Sequence, residues 1–236
     1  MSKKVITVIL SLVLILGVGV YFSSAEVEEE VTENIYVGYS EADARGFVEA
    51  SVKLEDGSIV DVELKEYNDL GIVKGEEYPW DEFHEAMDIL PGRFEEADGY
   101  DVDTVSGATS TSNKAIEAVK MALEKAEGIT SFDGTFMGIS DDLEDRDGRG
   151  LAWVTIEEGK LIDIRLEEVS GDSYKDEDYP LDELMDAREE LAKRVVEEGT
   201  YEVDSFTGAT QSSGLWLEAV ERALEKAGYE QPEQVE

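Results

Sequence analysis

The stretch VKLEDGSIVDVELKEY, Val52 to Tyr67, decides the fold. Apolar and polar residues alternate on both sides of Glu-Asp-Gly, the period of a half-buried strand, and Gly57 can take the positive φ that a tight hairpin turn demands. The pattern returns as VTIEEGKLIDIRLEEV, Val154 to Val169, with Gly159 at the turn. A shorter apolar segment, NIYVGYS or GTFMGIS, precedes each hairpin and reads as a third strand. Two antiparallel sheets follow from this reading.

Downstream the match continues almost without gaps. Tyr78 and Tyr179, in YPWDEF and YPLDEL, differ by 101 positions, as do Thr109 and Thr210, whereas Val52 and Val154 differ by 102. A single extra residue accounts for the change. EAVKMALEKA, Glu117 to Ala126, is answered by EAVERALEKA, Glu218 to Ala227. Two copies are too few for a solenoid, so tandem domains are expected, 35–128 and 129–236. In each, an amphipathic helix follows the hairpin, Asp81 to Ala97 with a break at Pro91, and Leu181 to Glu198. A last helix carries an apolar stripe at Ala115, Ile116, Val119, Ala122 and Leu123, matched by Leu215, Trp216, Val220, Ala223 and Leu224. The predicted class is α+β: two tandem repeats of a small antiparallel sheet with helices packed against it.

The N-terminus is of another kind. Lys3 and Lys4 precede an uncharged run from Val5 to Phe22, and small residues Ser23 and Ala25 follow. A positive, then apolar, then small-residue order predicts export, with residues 1–25 a signal peptide or a retained membrane anchor helix. Residues 26–34 form an acidic tether. The location expected is extracytoplasmic, membrane-anchored or secreted.

With 58 acidic residues against 20 basic ones, the formal net charge of −38 repels phosphate backbones and argues against nucleic acid as a partner. A solvated acidic surface, a cation-binding surface and steering of a cationic partner are all compatible with it. Cysteine is absent, which removes disulfides, iron–sulfur ligation and c-type haem attachment. His84 stands alone, with Met185 at the matching place, and a lone histidine is more often a packing residue than a ligand. The segment SDDLEDRDGRG, Ser140 to Gly150, fits part of a calcium loop at Asp145, Asp147 and Gly148, but Ile156 stands where the bidentate glutamate would fall. It reads as a solvated loop. Trp80, Trp153 and Trp216 fit core or semi-buried positions, with flavin stacking a second use for the latter two.

One further segment is repeated: DTVSGATSTS, Asp103 to Ser112, and DSFTGATQSS, Asp204 to Ser213. Each stands immediately before the last helix of its copy. Gly107 and Gly208 free the backbone, and the hydroxyl residues Ser110 to Ser112 and Gln211 to Ser213 offer oxygens to cap the helix. The same geometry is a place for phosphate, at free helical N–H groups with the Thr109 or Thr210 hydroxyl beside them. No lysine or arginine of a nucleotide-hydrolysing loop is present in either segment. The residues alone leave both readings open.

These two segments resemble the flavinylation motif of FMN-binding domains, the domain type of the flavin-carrying peripheral subunits of sodium-pumping NADH:quinone reductase and its ferredoxin-linked relative. FDGTFMGIS, VTIEEGKLIDIRLEEV and VDSFTGATQSSGLWLEAVERALEKA follow the family's order. The resemblance implies two FMN groups, each joined through its phosphate to a threonine, Thr109 and Thr210, by a separate flavin transferase using FAD as donor outside the cytoplasm. Asp103 and Asp204 match the leading acid, and Ser106, Gly107 and Ala108, with Thr207, Gly208 and Ala209, complete the turns. It further implies an electron carrier relaying between a membrane donor and an external acceptor. The family's Glu-Thr-Pro-Gly-like loop is replaced here by EYNDLGIVKGEEYP and EEVSGDSYKDEDYP. Two other functions compete: an exported acidic binding module without flavin, and a flavin-dependent reductase with its own substrate. Against the latter stands the lack of a Gly-x-Gly-x-x-Gly fingerprint.

Overall fold

Asp56 and Gly57 both have positive φ, 54° and 85°, and Glu158 and Gly159 repeat this at 50° and 70°. Two-residue loops of this kind match the right-handed twist of the flanking strands. The computed structural model describes residues 34–143, 148–175, 179 and 183–232. The expected signal or anchor helix, nearly all of the acidic tether, Asp145 and Asp147 of the calcium-like segment, and Leu181 lie outside the described residues.

The first turn joins β2 (Phe47–Glu55) to β3 (Ser58–Tyr67), and β1 (Asn34–Tyr39) pairs with β2 to give the order β1-β2-β3. The second copy has β4 (Gly134–Ile139), β5 (Gly148–Glu157) and β6 (Lys160–Ser170), extended by a two-residue strand β7 (Ser173–Tyr174) in the order β4-β5-β6-β7. All pairings are antiparallel. Register shifts fall between Lys53 and Leu54 and between Thr155 and Ile156, the same place in each hairpin. Such matching irregularities are features of the fold rather than defects.

Four helices cover the sheets: α1 (Asp81–Ala97), α2 (Thr109–Ala126), α3 (Glu183–Glu198) and α4 (Thr210–Ala227). α2 lies across β1 and β2 with α1 on β3, and α4 lies across β4 and β5 with α3 on β6. The stripe of α4 is fully inside: Leu215, Trp216, Val220, Ala223 and Leu224 are all buried. In α2 the stripe is centred on Ala115, Ala118, Val119 and Ala122, while Ile116 and Leu123 are half-buried. Small residues are needed there because strand and helix approach closely. A Cβ on Gly38 would lie 2.1 Å from the Ala118 carbonyl oxygen, and one on Gly138 would lie 1.7 Å from that of Ala219. No substitution fits either place.

Pro91 does not break α1, contrary to the sequence expectation. The helix runs through it because Phe83, Ala86, Leu90 and Phe94 form one buried face spanning both sides of the proline. Phe94 is the residue of that face beyond Pro91, and burying it offsets much of a cost of about 3 kcal/mol for an interior proline.

The two copies share an apolar cluster. Phe47 and Ala42 from the first pack with Met137, Leu151, Trp153 and Val169 from the second. The Ala42 N–H donates to the Thr135 carbonyl at 2.8 Å, and the Tyr174 hydroxyl donates to the Asp69 carbonyl at 2.8 Å. Asn34–Glu236 therefore form one compact unit. Among the described residues no helix is long and apolar enough to cross a membrane.

Candidate functional site: two matching turns at helix N-termini

The repeated segment folds identically in both copies. The Ala108 N–H donates to the Val105 carbonyl at 3.1 Å around Ser106-Gly107, and the Ala209 N–H donates to the Phe206 carbonyl at 3.1 Å around Thr207-Gly208. Gly107 at φ 85° and Gly208 at φ 97° occupy the third turn position, where positive φ selects glycine. Gly107 is also sterically constrained, since a Cβ there would stand 2.8 Å from Glu82 Cγ; at Gly208 the equivalent Glu183 Cγ would be 3.6 Å away. Ala108 and Ala209 follow as N-cap residues with nearly equal dihedrals, φ −120° and −126°, and both are buried.

The expected capping of α2 and α4 by side-chain oxygens is not what the structure has. Neither helix has a side-chain cap at its N-cap residue. The buried Ser112 hydroxyl faces back into the turn instead: its Oγ accepts the Val105 N–H at 2.9 Å and donates to the Ala108 carbonyl at 2.9 Å. Ser213 does the same with the Phe206 N–H at 3.0 Å and the Ala209 carbonyl at 2.9 Å. The serines bind the turn to the second helical turn. Ala108 and Ala209 have no side-chain oxygen with which to cap their helices, and the partial positive charge of a helix N-terminus favours an anion beside it.

Thr109 and Thr210 are the first residues of their helices and are exposed. Ser106, Gly107, Thr207, Gly208, Asp103 and Asp204 are exposed as well. All ten sequence-predicted residues thus fall in two equivalent constellations, with the alanines inside and the threonine hydroxyls reachable from solvent.

Sequence reasoning missed the residues around these turns. Arg93 of α1 donates through Nη1 to the Asp103 carbonyl at 2.5 Å, and Arg194 of α3 donates to the Asp204 carbonyl at 3.3 Å. A guanidinium therefore stands beside each turn, although none is within it. Each copy also holds a buried ion pair, Lys74 with Glu66 and Lys175 with Glu168. Lys74 Nζ is 4.9 Å from the centroid of the Tyr78 ring and Lys175 Nζ is 4.5 Å from that of Tyr179. The second carboxylate oxygens, Oε2 of Glu66 and Glu168, are buried with no hydrogen-bond partner. The segments that replace the Glu-Thr-Pro-Gly-like loop build these pairs: each turns back so that the Lys74 N–H meets the Glu66 carbonyl, and the Lys175 N–H that of Glu168, at 2.8 Å. The signal was present in the sequence, since these arginines, lysines and glutamates all recur in the register of the repeat.

Of the other candidates, Trp153 and Trp216 are packing residues. Trp216 is fully buried and its Nε1 donates to the Glu167 carbonyl at 2.9 Å. Trp153 is buried in the shared cluster with the Arg165 guanidinium 3.6 Å from its ring centroid. Trp80, the N-cap of α1, is exposed, contrary to the core or semi-buried position expected from the sequence. His84 Nε2 bonds the Tyr78 carbonyl at 2.7 Å. Among the described residues no group of three or more histidines and carboxylates is placed to hold a metal ion.

Residues 44–124 match the family model of the FMN-binding domain, a span that contains Thr109 and its whole turn. None of the curated proteins matches the chain. Among solved structures, the crystal structure of the CPE2226 protein from Clostridium perfringens is similar, with 24% identity over 41% of this chain and 88% of that one and a TM-score of 0.36.

Proposed function

We propose that this chain, which carries an FMN-binding domain at residues 44–124, is an extracytoplasmic electron carrier holding one covalent FMN on Thr109 and a second on Thr210. The observation that carries the reading is the equivalence of the two turns: an exposed threonine hydroxyl at an uncapped helix N-terminus, the same glycine turn, and an arginine beside it in both copies. Partial positive charge at the helix end and the guanidinium both favour a phosphate there. FMN would supply one- and two-electron chemistry at its ring. The protein's part is to present each hydroxyl in solvent to an FAD-using flavin transferase and to hold the phosphate once attached. A covalent link suits a carrier outside the cell, where a flavin lost to solvent is not replaced. Duplication supports a relay from a membrane donor to an external acceptor, and the apolar N-terminal run supports anchoring or export.

The test is the intact mass of the chain co-expressed with a flavin transferase. Two FMN units are expected, falling to one in Thr109→Val or Thr210→Val and to none in the double variant. An unmodified mass, with the transferase active on a control substrate, would leave the acidic binding module as the better account.

A further inference from the structure

The last turns of α2 and α4 flank one cleft between the two repeats. Lys125 Nζ donates to the Val37 carbonyl at 2.9 Å, and its repeat-mate Lys226 donates to the Met137 carbonyl at 2.7 Å. Both ammonium groups address one ring, Tyr39, at 5.1 and 4.9 Å from its centroid, and Lys226 also lies 3.8 Å from the centroid of Phe47. They line an open cleft of about 350 Å³ with Val37, Tyr39, Arg222 and Glu225, and a second of about 250 Å³ with Tyr67 and Ile139 adjoins it through Arg222 and Lys226. Arg222 is already matched, to Asp141 at 2.8 Å and Glu218 at 2.6 Å. Among the described residues no carboxylate pairs with Lys125 or Lys226; aromatic faces and backbone carbonyls are their partners.

In a chain of net charge −38, two lysines that share a cleft and, among the described residues, form no ion pair point to a ligand. We propose that this cleft binds a small organic anion with a flat aromatic body, its acid group between Lys125 and Lys226 and its ring against Tyr39. The carbonyl bond leaves each ammonium further N–H groups to donate. The Tyr39 ring, with Val37 and Ile139, gives the apolar wall typical of small-molecule sites, which hold a few convergent polar groups. The cleft is not the flavin attachment site. Sixteen residues of α2 separate Thr109 from Lys125, about 24 Å along a helix axis.

Burial holds the Lys226 ammonium down to about 7 and lowers Lys125 as well. The groups facing Lys226 are Tyr39 from β1, Glu49 from β2, Tyr67 from β3, Lys125 from α2, and Arg222 and Glu225 from α4. Of these Glu49 favours the charged amine and Arg222 opposes it. An incoming anion favours it further, so binding takes up a proton and weakens as pH rises.

Calorimetric titration of the full chain without flavin, kept in solution by a non-ionic detergent, tests this with 2-naphthalenesulfonate, whose charge is constant from pH 6 to 8.5. Saturable one-site binding is expected, at least tenfold weaker at pH 8.5 than at pH 6 and at least tenfold weaker in Lys125→Gln and in Lys226→Gln, with Lys120→Gln unchanged. Should Lys226→Gln fail to fold, Lys125→Gln and the wild-type pH series decide. Absent binding, affinity indifferent to pH or to Lys125→Gln, or equal binding of sulfate or of uncharged 2-naphthalenemethanol would overturn the assignment.

Discussion

Ser112 holds Val105: its buried hydroxyl accepts the Val105 N–H at 2.9 Å across seven residues of chain and so closes the turn on which Thr109 stands. Ser112→Ala would leave that buried N–H without a partner, at a cost of about 1–3 kcal/mol. Urea denaturation should show this loss, and Ser213→Ala should show a similar one through Phe206. Under the flavin-carrier reading, each variant should also slow modification of the threonine in its own copy while sparing the other, read from the intact mass over time.

The two turn glycines should differ in their tolerance of alanine. Both have positive φ, which costs an alanine about 1 kcal/mol. Gly107→Ala additionally brings Cβ to 2.8 Å from Glu82 Cγ, whereas at Gly208 the nearest atom is 3.6 Å away. Gly107→Ala should therefore be the more destabilising in thermal unfolding. Glu82→Gly should bring it back toward the Gly208→Ala value in a double-mutant cycle.

The buried pairs make an asymmetric prediction. Lys74→Met leaves Glu66 a buried carboxylate with both oxygens unpartnered and should cost about 3–5 kcal/mol. Lys74→Met combined with Glu66→Leu removes both charges and should recover most of that loss. Chemical denaturation of the two single variants and the double variant checks it, and the corresponding set at Lys175 and Glu168 should behave alike.

Stability should rise with pH between about 7 and 9.5. Lys226 is pulled down to about 7 by burial, so across this range the unfolded chain binds more protons than the folded one. The contribution is fully present above the ordinary lysine range and is lost as pH falls through the folded value. Its slope is at most about 1.4 kcal/mol per pH unit. Above pH 10 Tyr39, pushed up to about 12 by burial, acts the other way: its contribution is complete below the ordinary tyrosine value and is lost as pH rises toward 12. Comparing the denaturation of wild type and Lys226→Met at pH 7, 8 and 9 isolates the lysine. A difference that does not change with pH would contradict the shift.

Much of the fold was legible because it was written twice. Alternation around Gly57 and Gly159 gave the hairpins, and the stripe from Leu215 to Leu224 gave α4 and its buried face. The turn residues were visible for the same reason. Pro91 misled, because local propensity carries no information about Leu90 and Phe94 packing on either side of it. The hydroxyls of Ser112 and Ser213 were assigned to helix capping, since spacing places them near the helix start but does not say which way a side chain faces. Arg93 and Arg194 were overlooked although they keep the repeat's register. They lie on another helix, and only the tertiary fold brings a residue of α1 to the carbonyl of Asp103. The cleft at Lys125 and Lys226 has no local signature at all, being made where two copies meet.

The two halves of the described fold are mutually dependent. Both contribute to the cluster that contains Phe47, Met137 and Leu151, so cutting the chain between 128 and 129 would strip the cover from both halves. A fragment ending there would present Phe47 and the Tyr39 ring to water, and its counterpart would present Met137 and Leu151. Such faces are sticky, and the fragments would be recovered as aggregates or as a reassociated pair rather than as two soluble modules.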